Sequence, residues 1–97
     1  GIMPDVTLLV LTSLADSPKH GYAMQRDIAD FAGVRLGPGT LYGAISRLEE
    51  ERLIAPLETE DRRKPYKITR EGRRELQQRS VQLGQIMQQI VERINPA

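Results

Sequence analysis

The sequence predicts a mainly α-helical chain with a small β-hairpin and a long closing helix, and three observations carry that reading. Residues 21–32 and 38–52 show helical periodicity and are joined by a glycine-punctuated turn. Two short stretches around Pro56 and Pro65 flank a basic turn. From Leu76 to Ile94, apolar residues then recur every three or four positions.

Each element follows from local chemistry. Pro4 and Asp5 suit the start of a first helix over Val6 to Ala15, because proline fits the first turn and an acid complements the positive end of the dipole. Leu8, Leu9, Leu11, Leu14 and Ala15 leave only Thr7, Thr12 and Ser13 polar in its middle, which predicts burial on more than one side. Asp16-Ser17-Pro18 stops it. A second helix runs from His20 or Gly21 to Ala32, with Met24, Ile28, Phe31 and Ala32 inward and Gly33 closing the end. Pro38 opens a third helix that extends to about Arg52. Its Leu41, Ala44, Ile45 and Leu48 form one stripe, while Gly39, Gly43, Ser46 and Glu50 face the other way. An outward face with glycines makes sense where something large comes close, since each costs about 1 kcal/mol relative to alanine in a helix.

Leu53 to Glu60 then reads as a strand, paired across Asp61-Arg62-Arg63-Lys64 with Pro65 to Ile68 as a two-stranded wing. Thr69 caps the last helix, which runs to about Ile94 before Asn95-Pro96 ends it. Leu76, Ser80, Leu83, Met87, Ile90 and Ile94 step as a coiled-coil seam, and an isolated helix cannot bury such a face. A second copy of the chain is the expected cover, so the seam is read as a dimer interface.

Composition narrows the function. The chain has 97 residues, enough for one domain and a modest core. With no cysteine, one histidine and no glycine-rich phosphate loop, it lacks the usual equipment of disulfide, zinc or nucleophilic chemistry, and neither enzyme activity, metal nor cofactor is expected. The longest apolar run, Leu8 to Leu11, is far below the ~20 residues of a membrane helix, and no signal peptide is visible, so a cytoplasmic protein is expected. Gly1-Ile2, ahead of Met3, are assigned no role.

Charge supplies the positive signal. The net charge is only +1, yet Arg62, Arg63, Lys64, Lys67, Arg70, Arg73 and Arg74 face a single acid, Glu71, between positions 62 and 74. A basic hairpin after a pair of short helices is the pattern of a winged helix-turn-helix that binds DNA. The expected division is 3–69 for that unit and 70–97 for the dimerisation helix.

The residues also carry a family resemblance. His20-Gly21-Tyr22, Gly39-Thr40-Leu41-Tyr42, Arg47-Leu48-Glu49 and the run Arg62-Arg63-Lys64-Pro65-Tyr66-Lys67-Ile68-Thr69, with Gly72 beyond it, resemble the PadR family of bacterial winged helix-turn-helix transcriptional regulators in order and spacing. Two positions depart from that pattern: Gly43 stands where the family usually has proline, and Arg52 where it usually has glycine. The resemblance implies a homodimeric repressor.

Candidate contacts follow. Arg62, Arg63 and Lys64 at the wing tip are expected on phosphates, which position a protein without reading sequence. Gly39, Thr40, Tyr42, Gly43, Ser46 and Arg47 form the candidate reading surface of the third helix in the major groove of double-stranded DNA. Tyr22 is a candidate phosphate contact at the start of the second helix. His20 is expected to order the turn after Pro18. Two recognition helices in a dimer imply a near-palindromic target. A small-molecule effector stays open, and a winged-helix module gripping an acidic protein is the alternative from another class.

Overall fold

A computed structural model describes residues 5–59 and 62–95, so the expectations for Pro4, Glu60, Asp61 and Pro96 lie outside the described residues. Helix α1 (Val6–Leu14) is followed by strand β1 (Lys19–His20), helices α2 (Gly21–Ala32) and α3 (Pro38–Glu50), strands β2 (Ile54–Pro56) and β3 (Pro65–Ile68), and helix α4 (Arg70–Ile94). The molecule is mainly helical, as expected.

Asp5 starts α1 by accepting the amides of Thr7 at 3.0 Å and Leu8 at 3.4 Å. Val10, Leu11 and Leu14 of α1 are almost fully buried, joined by Met24, Ile28, Leu41, Ala44, Ile45, Leu48 and Ile54. Helix α1 is thus the spine of the core. Its polar Ser13 is also buried, and is satisfied by donating to Asp27 of α2 at 2.7 Å. Phe31 departs from expectation: it sits at the end of α2 and stays 46% exposed, because the inward stripe is already filled by Met24 and Ile28.

The sheet corrects the two-stranded wing. Three strands lie in the order β1-β3-β2, all antiparallel, with Lys19 opposite Tyr66, His20 opposite Pro65, and Ile54 opposite Ile68. A two-residue strand leaves no alternation to read in the sequence. It is held in place by Lys19, whose ammonium bonds Asp16 at 2.6 Å and the Ser13 carbonyl at the end of α1. Strand β2 is also shorter than expected, ending at Pro56, although the Leu57 amide still reaches the Pro65 carbonyl at 2.9 Å.

Helix α3 ends two residues before the expected Arg52. The Leu53 amide bonds the Leu48 carbonyl at 2.9 Å and the Arg52 amide bonds the Glu49 carbonyl at 3.0 Å, the paired bonds of a Schellman stop. Such a stop needs a left-handed residue, and Arg52 supplies it at φ 63°, the one non-glycine with positive φ among the described residues. The glycine that the family resemblance expects here has a plain physical reason: a side chain in this region is strained.

Three residues downstream of Thr69, Gly72 completes the same junction. The Thr69 hydroxyl accepts the Gly72 amide at 3.0 Å and donates to the Arg52 carbonyl at 2.8 Å, while the Thr69 amide bonds the Leu53 carbonyl at 3.0 Å. Gly72 is buried against the Leu53 carbonyl, and a β-carbon there would collide with it and come within 2.8 Å of Ile68. Farther along α4, Leu76 is half-buried against the core, and Arg79 bridges Glu75 at 3.1 Å and Asp5 at 2.5 Å. Past Arg79 the helix leaves the domain, which accounts for a molecule 58 Å long but only 27 by 20 Å across.

This junction yields opposite expectations for two substitutions. Gly72→Ala should lose at least ~2 kcal/mol, since a backbone carbonyl cannot move aside as a side chain can. Arg52→Gly should gain roughly 0.5–1 kcal/mol by relieving the left-handed strain, net of the extra freedom of the unfolded chain. Urea unfolding of both variants beside the parent checks the pair, and a neutral Gly72→Ala would show the packing of α4 to be wrong.

Candidate nucleic-acid interface

Three separate elements converge on one cleft. The start of α2 contributes His20, Gly21 and Tyr22, α3 contributes Tyr42, and the wing contributes Arg62, Arg63, Lys64 and Tyr66, around a space of about 660 Å³. Of the residues singled out from sequence, Tyr22, Tyr42, Arg62, Arg63 and Lys64 are therefore neighbours in space. Gly39, Thr40, Gly43, Ser46 and Arg47 do not line this cleft. They belong to α3, and apart from half-buried Gly43 they are exposed.

The cleft owes its shape to Gly21 and Tyr42. The Tyr42 ring lies over Gly21 so closely that a β-carbon on Gly21 would fall 2.5 Å from the Tyr42 hydroxyl and 2.8 Å from its ring. That seat fixes the first turn of α3 against the first turn of α2, with Tyr42 still 51% exposed. Tyr22 is 60% exposed and has the Arg26 guanidinium 5.9 Å from its ring centre, within cation–π range. Across the cleft, Lys64 stands 5.7 Å from the centre of the Tyr66 ring.

Tyr66 is not among the residues that the sequence singles out for the site, nor is Gly21. Burial pushes the Tyr66 phenol above its usual range, and Glu49 and Tyr42 add to the shift in the same direction. Its hydroxyl thus stays protonated at neutral pH and is available as a donor. The linear run around it does not show its place in the cleft, because Tyr66 is positioned there by its pairing with β1 and β2, a consequence of the third strand.

His20 behaves as expected in ordering its turn, but by an unusual route. It is the N-cap of α2, with Nδ1 accepting the Ala23 amide at 3.3 Å, a task more often given to serine, threonine or aspartate. No group of three or more histidines, cysteines or carboxylates suited to a metal is present among the described residues. In the same residues, no helix is long and apolar enough to cross a membrane.

On the side of α4 beyond the domain, the expected seam is open. Leu83, Met87, Ile90 and Ile94 are 46% to 68% exposed, and Ile86 and Val91 widen the apolar face. Ser80 is exposed and bonds back to the Gln77 carbonyl. Leu76 differs from the others in packing partly on its own domain.

Helices α2 and α3 with a basic hairpin beside them, and a three-stranded sheet closing the unit, define the winged-helix class. Comparison with known proteins agrees. A PadR-like transcriptional regulator from Bacillus cereus has the same fold, with a TM-score of 0.83 over 95% of this chain and 93% of its own at 18% identity. A PadR family transcriptional regulator from Eggerthella lenta is 29% identical, with a TM-score of 0.79 over 95% of this chain and 83% of its own. An uncharacterised 37.1 kDa protein in transposon Tn4556 of Streptomyces fradiae is 41% identical over 92 residues, and this chain spans only 27% of its length. The model of the transcriptional regulator PadR-like family matches residues 10–78. The chain belongs to the PadR-like family of transcriptional regulators.

The seat of Tyr42 is open to a direct test. Gly21→Ala should displace the Tyr42 ring and shift its aromatic proton resonances while leaving most of the amide spectrum in place. Unchanged Tyr42 resonances would mean that the ring does not rest on Gly21 in solution.

Proposed function

We propose that this protein is a sequence-specific DNA-binding regulator that acts as a homodimer and represses by occupying a near-palindromic operator. The observation that carries this reading is the convergence of the wing cations on the N-terminal turns of α2 and α3. Three basic side chains next to two exposed tyrosines form a donor-rich surface, and the exposed face of α3 adjoins it. Phosphates that relieve the mutual repulsion of Arg62, Arg63 and Lys64 would hold α3 in register, and Thr40, Ser46 and Arg47 would read base edges in the major groove. Gly39 and Gly43 let the helix approach closely. Acidic Glu50 and Glu51 limit contact to the part of the helix before them.

The open apolar face of α4 supports the dimer. Six large apolar side chains about half exposed along one face of the helix (Leu83, Ile86, Met87, Ile90, Val91 and Ile94) exceed what an isolated monomer normally leaves in water, and they extend the stripe that begins at Leu76. A copy of the same helix offers the matching surface, so Leu76, Ser80, Leu83, Met87, Ile90 and Ile94 are assigned to the interface. The family membership supports the regulator reading, and a cytoplasmic site of action is consistent with it.

Fluorescence anisotropy on the DNA upstream of the protein's own gene, with a scrambled duplex beside it, tests the DNA reading. Selective binding with a steep salt dependence is expected, and Arg62→Ala/Arg63→Ala should flatten the log-log slope by about 0.9 for each phosphate no longer neutralised. Binding without selectivity at any salt would favour a protein-binding module. For the dimer, Met87→Glu should convert the sedimenting species to monomer and weaken operator binding at least tenfold. An unchanged dimer would move the interface elsewhere.

A further inference from the structure

The cleft contains a hydrogen-bond donor with no protein partner among the described residues, the Nε2 edge of His20. Because the Ala23 amide donates to Nδ1, that nitrogen carries no proton, and the neutral ring must carry it on Nε2. The cap therefore fixes the tautomer. The ring is half-buried and lines the same space as Tyr22, Tyr42 and the wing cations.

A fixed neutral donor beside three cations and three phenols calls for an acceptor that carries negative charge. The strand pairing adds to the argument: His20 lies opposite Pro65, one residue from Lys64, so the backbone holds the imidazole and the base of the wing tip together. We propose that His20 is a direct DNA contact, donating from Nε2 to one phosphodiester oxygen of the backbone, and that the cleft seats this single phosphate between α2, α3 and the wing. This rests on the DNA-binding reading. It gives His20 two roles, one per ring nitrogen: Nδ1 starts α2, and Nε2 docks the helix start on the backbone. Since the ring is neutral, its contact releases no counterion, which separates it from the cationic contacts.

Substitution can split the two roles. Asparagine and serine are strong N-caps, and both are too short to place a donor where Nε2 lies. His20→Asn and His20→Ser are each compared with the parent on a duplex that the parent enriches from a random-sequence pool. Both should keep the parent's melting temperature within a few degrees and bind about tenfold more weakly, as expected for losing a hydrogen bond to a charged acceptor. The salt slope should stay unchanged, whereas Arg62→Ala flattens it. Single methylphosphonates placed along the duplex then locate the contact: one position should weaken the parent but have no further effect on His20→Asn.

Affinity within twofold of the parent in both variants would reduce His20 to a cap and overturn the proposal. Affinity that falls only in step with melting temperature, or a phosphate scan in which no position is coupled to His20, would do the same. A parent that enriches no duplex at all would overturn the DNA reading along with it. Normal enrichment with indifferent His20 variants would overturn the contact alone.

Discussion

At the junction of α3, the sheet and α4, the backbone of Arg52 and Leu53 receives both the capping hydroxyl of Thr69 and the bare α-carbon of Gly72. Most of the architecture is conditional on that contact. It decides where α3 stops, places β2 opposite β3, and sets the direction in which α4 departs. The side chain of Thr69 serves two elements at once, so the cap of one helix and the stop of another are a single hydrogen-bonded unit. Arg79 adds a second attachment by joining α4 to the cap residue of α1, where the Thr7 hydroxyl, helped by Arg79, holds the Asp5 carboxyl below its usual range.

Much of this is legible in the sequence because it rests on local rules. The four helices follow from periodicity, prolines and caps, and the buried stripe of α3 is the one its spacing requires. What is not legible depends on tertiary contact. Strand β1 exists only because Lys19 and His20 find β3, and its two residues have no pattern of their own. Phe31 fits the inward stripe of α2 by spacing, yet stays exposed while Ala32 beside it packs on the core. Arg52 is instructive in the other direction. Its departure from glycine is visible in the sequence, but the meaning comes only with a positive φ.

The candidate site divides along the same line. Charge clustering is enough to single out Arg62, Arg63 and Lys64, because a local excess of one sign shows in any linear reading. The neighbours that give those cations a shape are Tyr66 of the wing itself and His20 and Gly21 from a distant part of the chain, and although all three lie in the family motifs, nothing in the linear order says that they share a cleft. In the sequence, His20 and Tyr22 share one short motif that lies far from the wing. Only the fold makes them walls of one space.

The length of α4 has a mechanical consequence. Beyond Gly72 the helix continues for about 22 residues to Ile94, roughly 33 Å at the usual rise per residue, and it is fastened to the rest of the chain only near its beginning. It is a lever with its fulcrum at the Arg52–Gly72 junction. A pivot of about 5° there would carry the far end by roughly 3 Å over that length. In the proposed pair, clamped along α4, the gearing would run backwards: the shafts would be held, and the same few degrees would swing both α3 helices, altering the distance between them. Packing at one buried glycine would thus calibrate a span measured across the proposed dimer.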